Sequence, residues 1–517
     1  RQYEPGDIEQ ISHYFRRREK EGFAIDDITW NDLDMDEVYQ VWNHTRTSIG
    51  EEYLYAALRH PIASDAEMEE RERVITYLLE NTQERMYLQE ALAEIGKLER
   101  MSVYDHLELI QDMKPIGALP HILAGVCLVG ALIGCAFAPE FMVIASIAIM
   151  GGNIISYYQA KAKVDSYIRL FTFILHMVEQ CEGVARKTIP GLEKYQDQLK
   201  KQTSCFGKYR RFCFLVNGGS GMSGDVMDSL MDYIRILFHV DLVKMSTMIR
   251  EAKKYEQQLR IMYDTIGYLD TMLSTASCRI MYGEYCVPQL SHQANGKFAV
   301  TEMYHPLIPE GVRNSITAER SVLLTGSNAS GKSTFIKTVA LNAILAQTLH
   351  TVLAENYQAS WFCIASSMAL RDDILSQESY YIVEIRSLKR ILDLTRSSEL
   401  PVLCFIDEVL RGTNTVERIA ASSRILQAIA EQGGLCFAAT HDIELTYLLE
   451  KEYDNYHFEE QVEDDKVTFD YCLREGRACT RNAIRLLKML GYDEKIVDDA
   501  NERVALFLKS GNWVSSH

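Results

Sequence analysis

Three textures of hydrophobic and polar positions follow one another along the chain. Residues 1 to about 113 are polar and helix-rich. Apolar residues recur at helical spacing from Asp36 to Arg59, broken by Thr45-Arg46-Thr47-Ser48-Ile49-Gly50, and Gly50 and Pro61 punctuate helix ends. Ala66 to Leu98 reads as one or two long amphipathic helices with a charged, solvated face. The second texture has almost no polarity. Ile122 to Ala138 and Phe141 to Ile155 carry no charge, and only Pro139-Glu140 separates them. The pair predicts a helical hairpin with Pro-Glu as its tight turn. With flanking residues each leg nears the ~20 needed to span a hydrocarbon core. Lys114 lies on one flank and Lys161, Lys163 and Arg169 on the other, which places both flanks on the cytoplasmic side. A buried hairpin in a large soluble core is the alternative.

Helical periodicity returns from 159 to 290, with the loop Asn217-Gly218-Gly219-Ser220-Gly221 inside it and a long stretch from Val226 to Leu273. From about Gly296 the third texture begins: short apolar runs alternating with helical stretches. The runs are Ser321–Leu324, Val402–Ile406 and Leu435–Ala439, the sign of an α/β domain. A helical tail runs from Asn482 to Lys509. The expected architecture is α + α/β, in four parts: a helical core over 1–120, a hydrophobic hairpin over 121–158, a helical lever over 159–290, and an α/β domain with C-terminal helices over 291–517.

The chemistry collects at the ends of those apolar runs. Ser321–Leu324 leads into Gly326-Ser327-Asn328-Ala329-Ser330-Gly331-Lys332-Ser333-Thr334, followed by a helical pattern to about Leu349. A strand, a GxxxxGKS loop and a helix in that order predict a phosphate-binding loop. Its glycines let backbone N–H groups aim inward at phosphate oxygens. Lys332 then reaches the β- and γ-phosphates, and Ser333 ligates Mg²⁺. Val402–Ile406 ends in Asp407-Glu408, with Asp407 placed to hold Mg²⁺ and Glu408 to act as general base on water. Leu435–Ala439 ends in Thr440-His441, where the imidazole can sense the γ-phosphate. Ser379 is positioned to cap a helix from Tyr380 to Leu394, and a helix start there can present its dipole and hydroxyl to a phosphate.

Composition narrows the partners. The formal charge of −18 argues against a generally basic nucleic-acid surface. One stretch, Arg186 to Arg211, is locally basic and suits either nucleic acid or anionic lipid head groups. The twelve cysteines are scattered without CxxC spacing, which suggests reduced thiols. The chain opens on Arg1 rather than Met, and no secretory signal stands at its start.

Taken together, these motifs resemble the MutS family of DNA mismatch repair ATPases. The matching pieces are His305-Pro306-Leu307, the glycine-rich loop, Asp372-Asp373 through Val383-Glu384, Asp407-Glu408 through Thr415, Thr440-His441, and the tail with Leu490-Gly491-Tyr492. Asn43 to Gly50 and Leu58-Arg59-His60-Pro61 resemble the start of the family's helical core. The resemblance implies an ABC-type ATPase on a helical lever, using ATP and Mg²⁺ and working as a homodimer. Each nucleotide is then sandwiched between one copy's loop and the other's Ser379. It also implies Glu408 as base and His441 as the residue that supports hydrolysis. The signature Ser376-Gln377-Glu378-Ser379-Tyr380-Tyr381 departs from the family's usual glycine, threonine and phenylalanine. The core-like motifs begin by Asp36, which leaves no room before them for mismatch-reading domains. The hairpin sits where lever helices run toward the DNA clamp. The expectation is a membrane-tethered ATP-driven switch with its ATPase domain in the cytoplasm and lipid as a partner. The alternative is a soluble DNA clamp with a buried hairpin.

Overall fold

The computed structural model describes the chain except residues 1–2, 5, 18–21, 99–100, 114–116, 212–225, 293–295, 309, 328–329, 369–379, 411–412, 464–465, 479–483, 485–486, 488–490 and 511–517. Two compact units interleave along the sequence. The first takes residues 1–19, 42–57 and 70–280, and the second takes 20–41, 58–69 and 281–517.

The first unit is helical. Its spine is Glu256–Tyr282, whose face carrying Leu259, Met262, Ile266, Leu269 and Met272 is buried. Helix Ser48–Arg59 crosses it at close range, and two glycines make the approach possible. A Cβ on Gly267 would stand 2.7 Å from Tyr53, and one on Gly50 would stand 2.1 Å from the Asp270 carboxylate. That carboxylate accepts from the Arg46 N–H (2.9 Å), the Thr47 N–H (2.9 Å) and the Thr47 hydroxyl (2.7 Å), and so ties the start of Ser48–Arg59 to the spine. Glu52 makes a similar tie. It accepts from the Val103 N–H (2.7 Å) at the start of helix Val103–Leu109 and from the Tyr263 hydroxyl (2.6 Å) on the spine. Burial pushes the Glu52 carboxyl up to about 7 and Asp270 to about 6, against the pull of these hydrogen bonds.

The apolar hairpin belongs to this unit. Its legs are Ala118–Gly134 and the first part of Pro139–Arg186, a 48-residue helix without a break. The turn is not Pro139-Glu140. Cys135 to Ala138 make it, with Ala138 N–H donating to Gly134 O at 2.9 Å, and Pro139 opens the second leg. Proline suits that first helical position because its missing N–H would have no partner there anyway. The exposure pattern of the legs is inverted. Val126, Ile133, Ile144, Ile147 and Ile155 are exposed, while His121, Ser146, Asn153 and Tyr157 are buried.

The second unit holds the sheets. Its strands are β1 (Gln289–Ser291), β2 (Phe298–Met303), β3 (Asn314–Ala318), β4 (Ser321–Thr325), β5 (Asn356–Ser360), β6 (Cys363–Ser367), β7 (Val402–Asp407), β8 (Leu435–Ala439), β9 (Tyr453–His457), β10 (Glu460–Glu463), β11 (Lys466–Phe469) and β12 (Arg474–Glu475). A six-stranded sheet has the order β12-β9-β4-β8-β7-β6, parallel from β9 through β6. Strands β4, β6, β7 and β8 are buried at every position, as apolar runs buried on both faces require. A four-stranded sheet, β1-β5-β2-β3, and the hairpin β10-β11 complete the strands. The three apolar runs named from sequence are β4, β7 and β8, and the mixed α and α/β character is as expected.

The raised pKa values of Glu52 and Asp270 set a direction for stability. A carboxyl with a raised native pKa binds its proton more tightly folded than unfolded, so the fold loses stability as pH climbs from the unfolded value to the native one. For Glu52 that window runs from about 4.5 to about 7. At roughly 1.4 kcal/mol per pKa unit the loss is on the order of 3 kcal/mol. The melting temperature of the helical unit should therefore fall between pH 5 and pH 8. In Glu52→Gln that slope should flatten, with the variant at least as stable as the parent at pH 8, as read by thermal denaturation across pH.

Candidate functional site

The register of the parallel sheet decides which loops meet. Leu324 of β4 lies opposite Ala439 of β8, and Ala439 lies opposite Asp407 of β7. The three strands therefore end at one level. The glycine-rich loop, Asp407-Glu408 and Thr440-His441 all leave the sheet at that edge. The Thr440 N–H donates to Leu324 O (2.9 Å) and the Glu408 N–H to Ala439 O (3.0 Å), which continues the ladder past the strand ends.

The glycine-rich loop takes its shape from two residues with positive φ, Gly326 (145°) and Gly331 (102°). A side chain at Gly326 would meet Phe458 O and Ser330 Oγ, each at 2.8 Å. Gly331 caps helix Lys332–Thr348, so the unpaired N–H groups of that helix start open onto the loop. Lys332 is buried and folds back on the loop, donating to Gly326 O (2.8 Å) and Ser327 O (2.7 Å). Ser330 Oγ donates to Ser327 O at 2.8 Å. Ser333 is half-buried and Thr334 exposed in the first turn of the helix. A helix start, a buried ammonium and inward amides together suit a phosphate chain. Asn328 and Ala329 lie outside the described residues, as does Ser379.

The carboxylates across the edge differ in role. Asp407 is buried, and its Oδ1 has no hydrogen-bond partner; neither has the buried Ser327 Oγ. A buried carboxylate oxygen without a donor is costly, and a divalent cation is the chemistry that offsets it. Glu408 follows with φ of 57°, and Leu410 with 61°, both left-handed and both unfavourable for side chains of that size. The turn is held by the Glu384 carboxylate, which accepts from the Leu410 N–H. Its result is that Glu408 Oε1 stands 2.8 Å from His441 Nε2, with both side chains partly open to solvent. A carboxylate bonded to an imidazole can take a proton from water and pass charge to the ring.

Some contributors escape sequence reasoning. Asp442, next to His441, forms a two-point ion pair with Arg418 (2.9 and 2.7 Å) and anchors the segment behind the imidazole. The Asp442 hydrogen bonds raise the Arg418 pKa further, so that cation is permanent. Tyr471 flanks the loop: a Cβ on Gly331 would meet its ring at 3.0 Å. Tyr471 has a φ of 53°, stacks on Phe469, and its carbonyl accepts from Asn314 Nδ2 at 3.0 Å. No motif marks it, because it follows a hairpin far along the chain. His305 of the His-Pro-Leu turn is neutral: burial, with Lys337 nearby, lowers it to about 4.

Part of the basic stretch is paired in place. Arg186 and Arg210 both pair with Glu182, Lys194 lies 3.7 Å from Glu70, and Lys187 sits over the Tyr87 ring. Lys200, Lys201 and Lys208 are exposed.

Comparison with known proteins agrees with the geometry. Residues 322–507 match the family model described as MutS domain V. The chain is similar to the DNA mismatch repair protein MutS of Natronomonas pharaonis, with 31% identity over 46% of this chain and 28% of that protein. It is similar to the MutS of Streptococcus sanguinis at 24% identity over 90% of this chain and 59% of the relative. The MutS of Thermotoga petrophila gives 24% over 90% and 62%. The chain thus spans less than two thirds of the length of these curated relatives.

Tyr471 provides a test of the site's extent. Tyr471→Ala should weaken retention of a fluorescent nucleoside triphosphate several-fold, since stacking on one exposed ring is worth about 1 kcal/mol. Asn314→Ala, which frees the Tyr471 backbone, should weaken it less. Titration of the nucleotide's fluorescence measures both.

Proposed function

We propose that this chain, a member of the MutS family, is an ATP-binding and ATP-hydrolysing switch of the ABC type that works as a homodimer and is held at a membrane by its apolar hairpin. The ATPase reading rests on one observation above the others. The register of β4, β8 and β7 brings the glycine-rich loop, Asp407-Glu408 and His441 to one edge of the sheet. The unpartnered oxygens of Ser327 and Asp407 are what a polyphosphate and its cation would satisfy.

In this reading Lys332 exchanges Gly326 O and Ser327 O for the β- and γ-phosphates. Ser333 and Asp407 hold Mg²⁺, which neutralises charge on the phosphate oxygens. Glu408 orients a water and accepts its proton as the water oxygen bonds to the γ-phosphorus. The bond to the β–γ bridging oxygen breaks, leaving ADP and phosphate. His441 keeps Glu408 in place through the 2.8 Å contact and shares the charge. Ser379 of a second copy completes the phosphate cradle. ATP then acts as a switch only if the closed dimer binds it far more tightly than the open one.

The membrane reading rests on the inverted hairpin. Exposed isoleucines and valines around buried His121, Asn153 and Tyr157 are the opposite of what water selects. The relatives' printed name suggests a DNA clamp as a second reading. The net charge of −18 and the ion pairing of Arg186, Lys194 and Arg210 within the helical unit favour it less.

Three variants and one wash test these statements. Glu408→Gln should retain ATP but hydrolyse it about 100-fold or more slowly, the usual worth of a positioned base. Lys332→Ala should lose retention as well as turnover. Mixing Lys332→Ala with Ser379→Ala should restore part of the hydrolysis, because one hybrid site regains both intact halves. Phosphate release and nucleotide retention read all three. An alkaline carbonate wash of membranes should leave the full chain in the pellet, and release into the supernatant would refute the tether.

A further inference from the structure

Helical geometry gives the apolar band of the hairpin a definite height. On the second leg the charge at the tip, Glu140, and the next charge, Lys161, are 21 residues apart. At about 1.5 Å per residue that separates them by about 32 Å, close to the ~30 Å hydrocarbon thickness of a bilayer. Pro139–Ala162 is apolar enough to span, and only 17% of its most apolar window is buried, unlike the core helix of a soluble protein. Tyr157 and Tyr158 stand one turn before Lys161, and the Lys161 ammonium lies 5.4 Å from the Tyr157 ring. The exposed Tyr158 ring at that level fits the interfacial belt of a membrane, while Tyr157 is buried. At the tip, Phe137 and Phe141 are 85% and 77% exposed on either side of Pro139-Glu140. A hairpin that stopped inside the bilayer would leave the Glu140 carboxylate in hydrocarbon, at a cost of several kcal/mol.

The interior of the same stretch obeys the rule that hydrocarbon imposes on polar groups, namely that each must be paired within the protein. Asn153 lies eight residues before Lys161, about 12 Å inside the band. Its Nδ2 donates to Leu237 O (2.8 Å) and to Ala124 O (3.2 Å) of the first leg. Its backbone carbonyl can only accept, so His239 Nε2, at 2.9 Å, carries a proton. His239 Nδ1 also lies 2.9 Å from His121 Nδ1, so one ring donates to the other. Tyr157 donates to Asp241 at 2.8 Å. His239 is wholly buried, with φ of 53° at the corner between helices Val226–Phe238 and Val240–Lys254. Gly125 lets that corner approach: a Cβ there would lie 3.3 Å from Phe238 O. Along the hairpin the polar side chains at this depth face inward and the aliphatic ones outward, while on the adjoining helix Val226–Phe238 Asp232 is exposed and pairs with Arg235 at 2.8 Å.

We propose that the hairpin crosses the whole bilayer, presents the Phe137–Phe141 tip on the far side, and carries the His121–His239–Asn153 cluster inside the hydrocarbon layer. This rests on the tether proposed above and adds its depth and topology. The occupant of the apolar face is the acyl region of both leaflets.

The test uses the full chain in bacterial membranes. In a Cys127→Ala/Cys135→Ala/Cys472→Ala parent, itself run as the blank, an added Glu140→Cys is compared with an added Ser204→Cys, an exposed position on the near side. Intact spheroplasts are treated with a membrane-impermeant maleimide that shifts the band on a gel. Glu140→Cys should shift in intact spheroplasts, and Ser204→Cys only after lysis. A shift of Glu140→Cys only after lysis, or only in detergent, overturns the crossing: the tip would then lie on the near side or within the lipid. Phe137→Cys repeats the reading should Glu140→Cys fail to accumulate. Failure of the tether itself reads differently, as release of the parent chain by carbonate, and would remove this proposal with it.

Discussion

The hydrogen-bond ladder of the buried parallel sheet is the constraint from which the site follows. Parallel strands have evenly spaced, slanted bonds, and slipping one by a residue would turn its side chains to the other face. Here β4, β8 and β7 are buried on both faces, so packing opposes any slip. Leu324, Ala439 and Asp407 stand in line, and the residues after them have one edge on which to gather. Loops that are far apart in sequence become neighbours, and Glu408 meets His441 at 2.8 Å. The positive φ at Glu408 and Leu410 is a second consequence. The chain must turn out of the ladder at once if Glu408 is to reach His441, and strain is the result.

Much of this was legible in the residues. The apolar runs gave β4, β7 and β8 because strands buried on both faces carry no polar interruption. The GxxxxGKS spacing gave the loop because few other residues accept φ values like those of Gly326 and Gly331. What escaped has physical causes. Strands β2, β3 and β5 are half-buried and mixed in composition, so their period is weak. The hairpin turn was misplaced by one step, because proline starts a helix as readily as it stops one. Tyr471 and the Arg418–Asp442 pair depend on tertiary approach alone, and nothing local distinguishes them from surface residues. Ser379, named from its position before a helix, falls outside the described residues, and its place in the site is a proposal.

The chain also carries two opposite patterns of exposure. In the sheet unit the apolar strands are inside, and the buried charges Lys332 and Asp407 are gathered at the strand ends. Along the hairpin, isoleucines are exposed and histidine, asparagine and tyrosine are enclosed. A single rule covers both: a polar group must meet either water or a partner. Along the hairpin the partners lie within, and the His121–His239–Asn153 chain of bonds supplies them. Inversion of the pattern is therefore more informative than hydropathy alone, since a soluble core helix can match the hydropathy but not the exposure.

Buried carboxylates bring the comparison back to the site. Asp270 and Glu52 are fully enclosed, and each accepts several hydrogen bonds that tie one helix to another. They serve the fold, and donors placed by helix starts and a tyrosine compensate their burial. Asp407 is also buried, in the stiffest part of the sheet, yet Oδ1 is left without a donor. The same chain that satisfies Asp270 with three donors leaves this oxygen without one. An uncompensated group at the end of a central strand stands beside a loop whose buried lysine donates to the Gly326 and Ser327 carbonyls. Under the proposed function, a polyphosphate and its cation would supply the partners that Asp407 Oδ1 and Ser327 Oγ lack among the described residues.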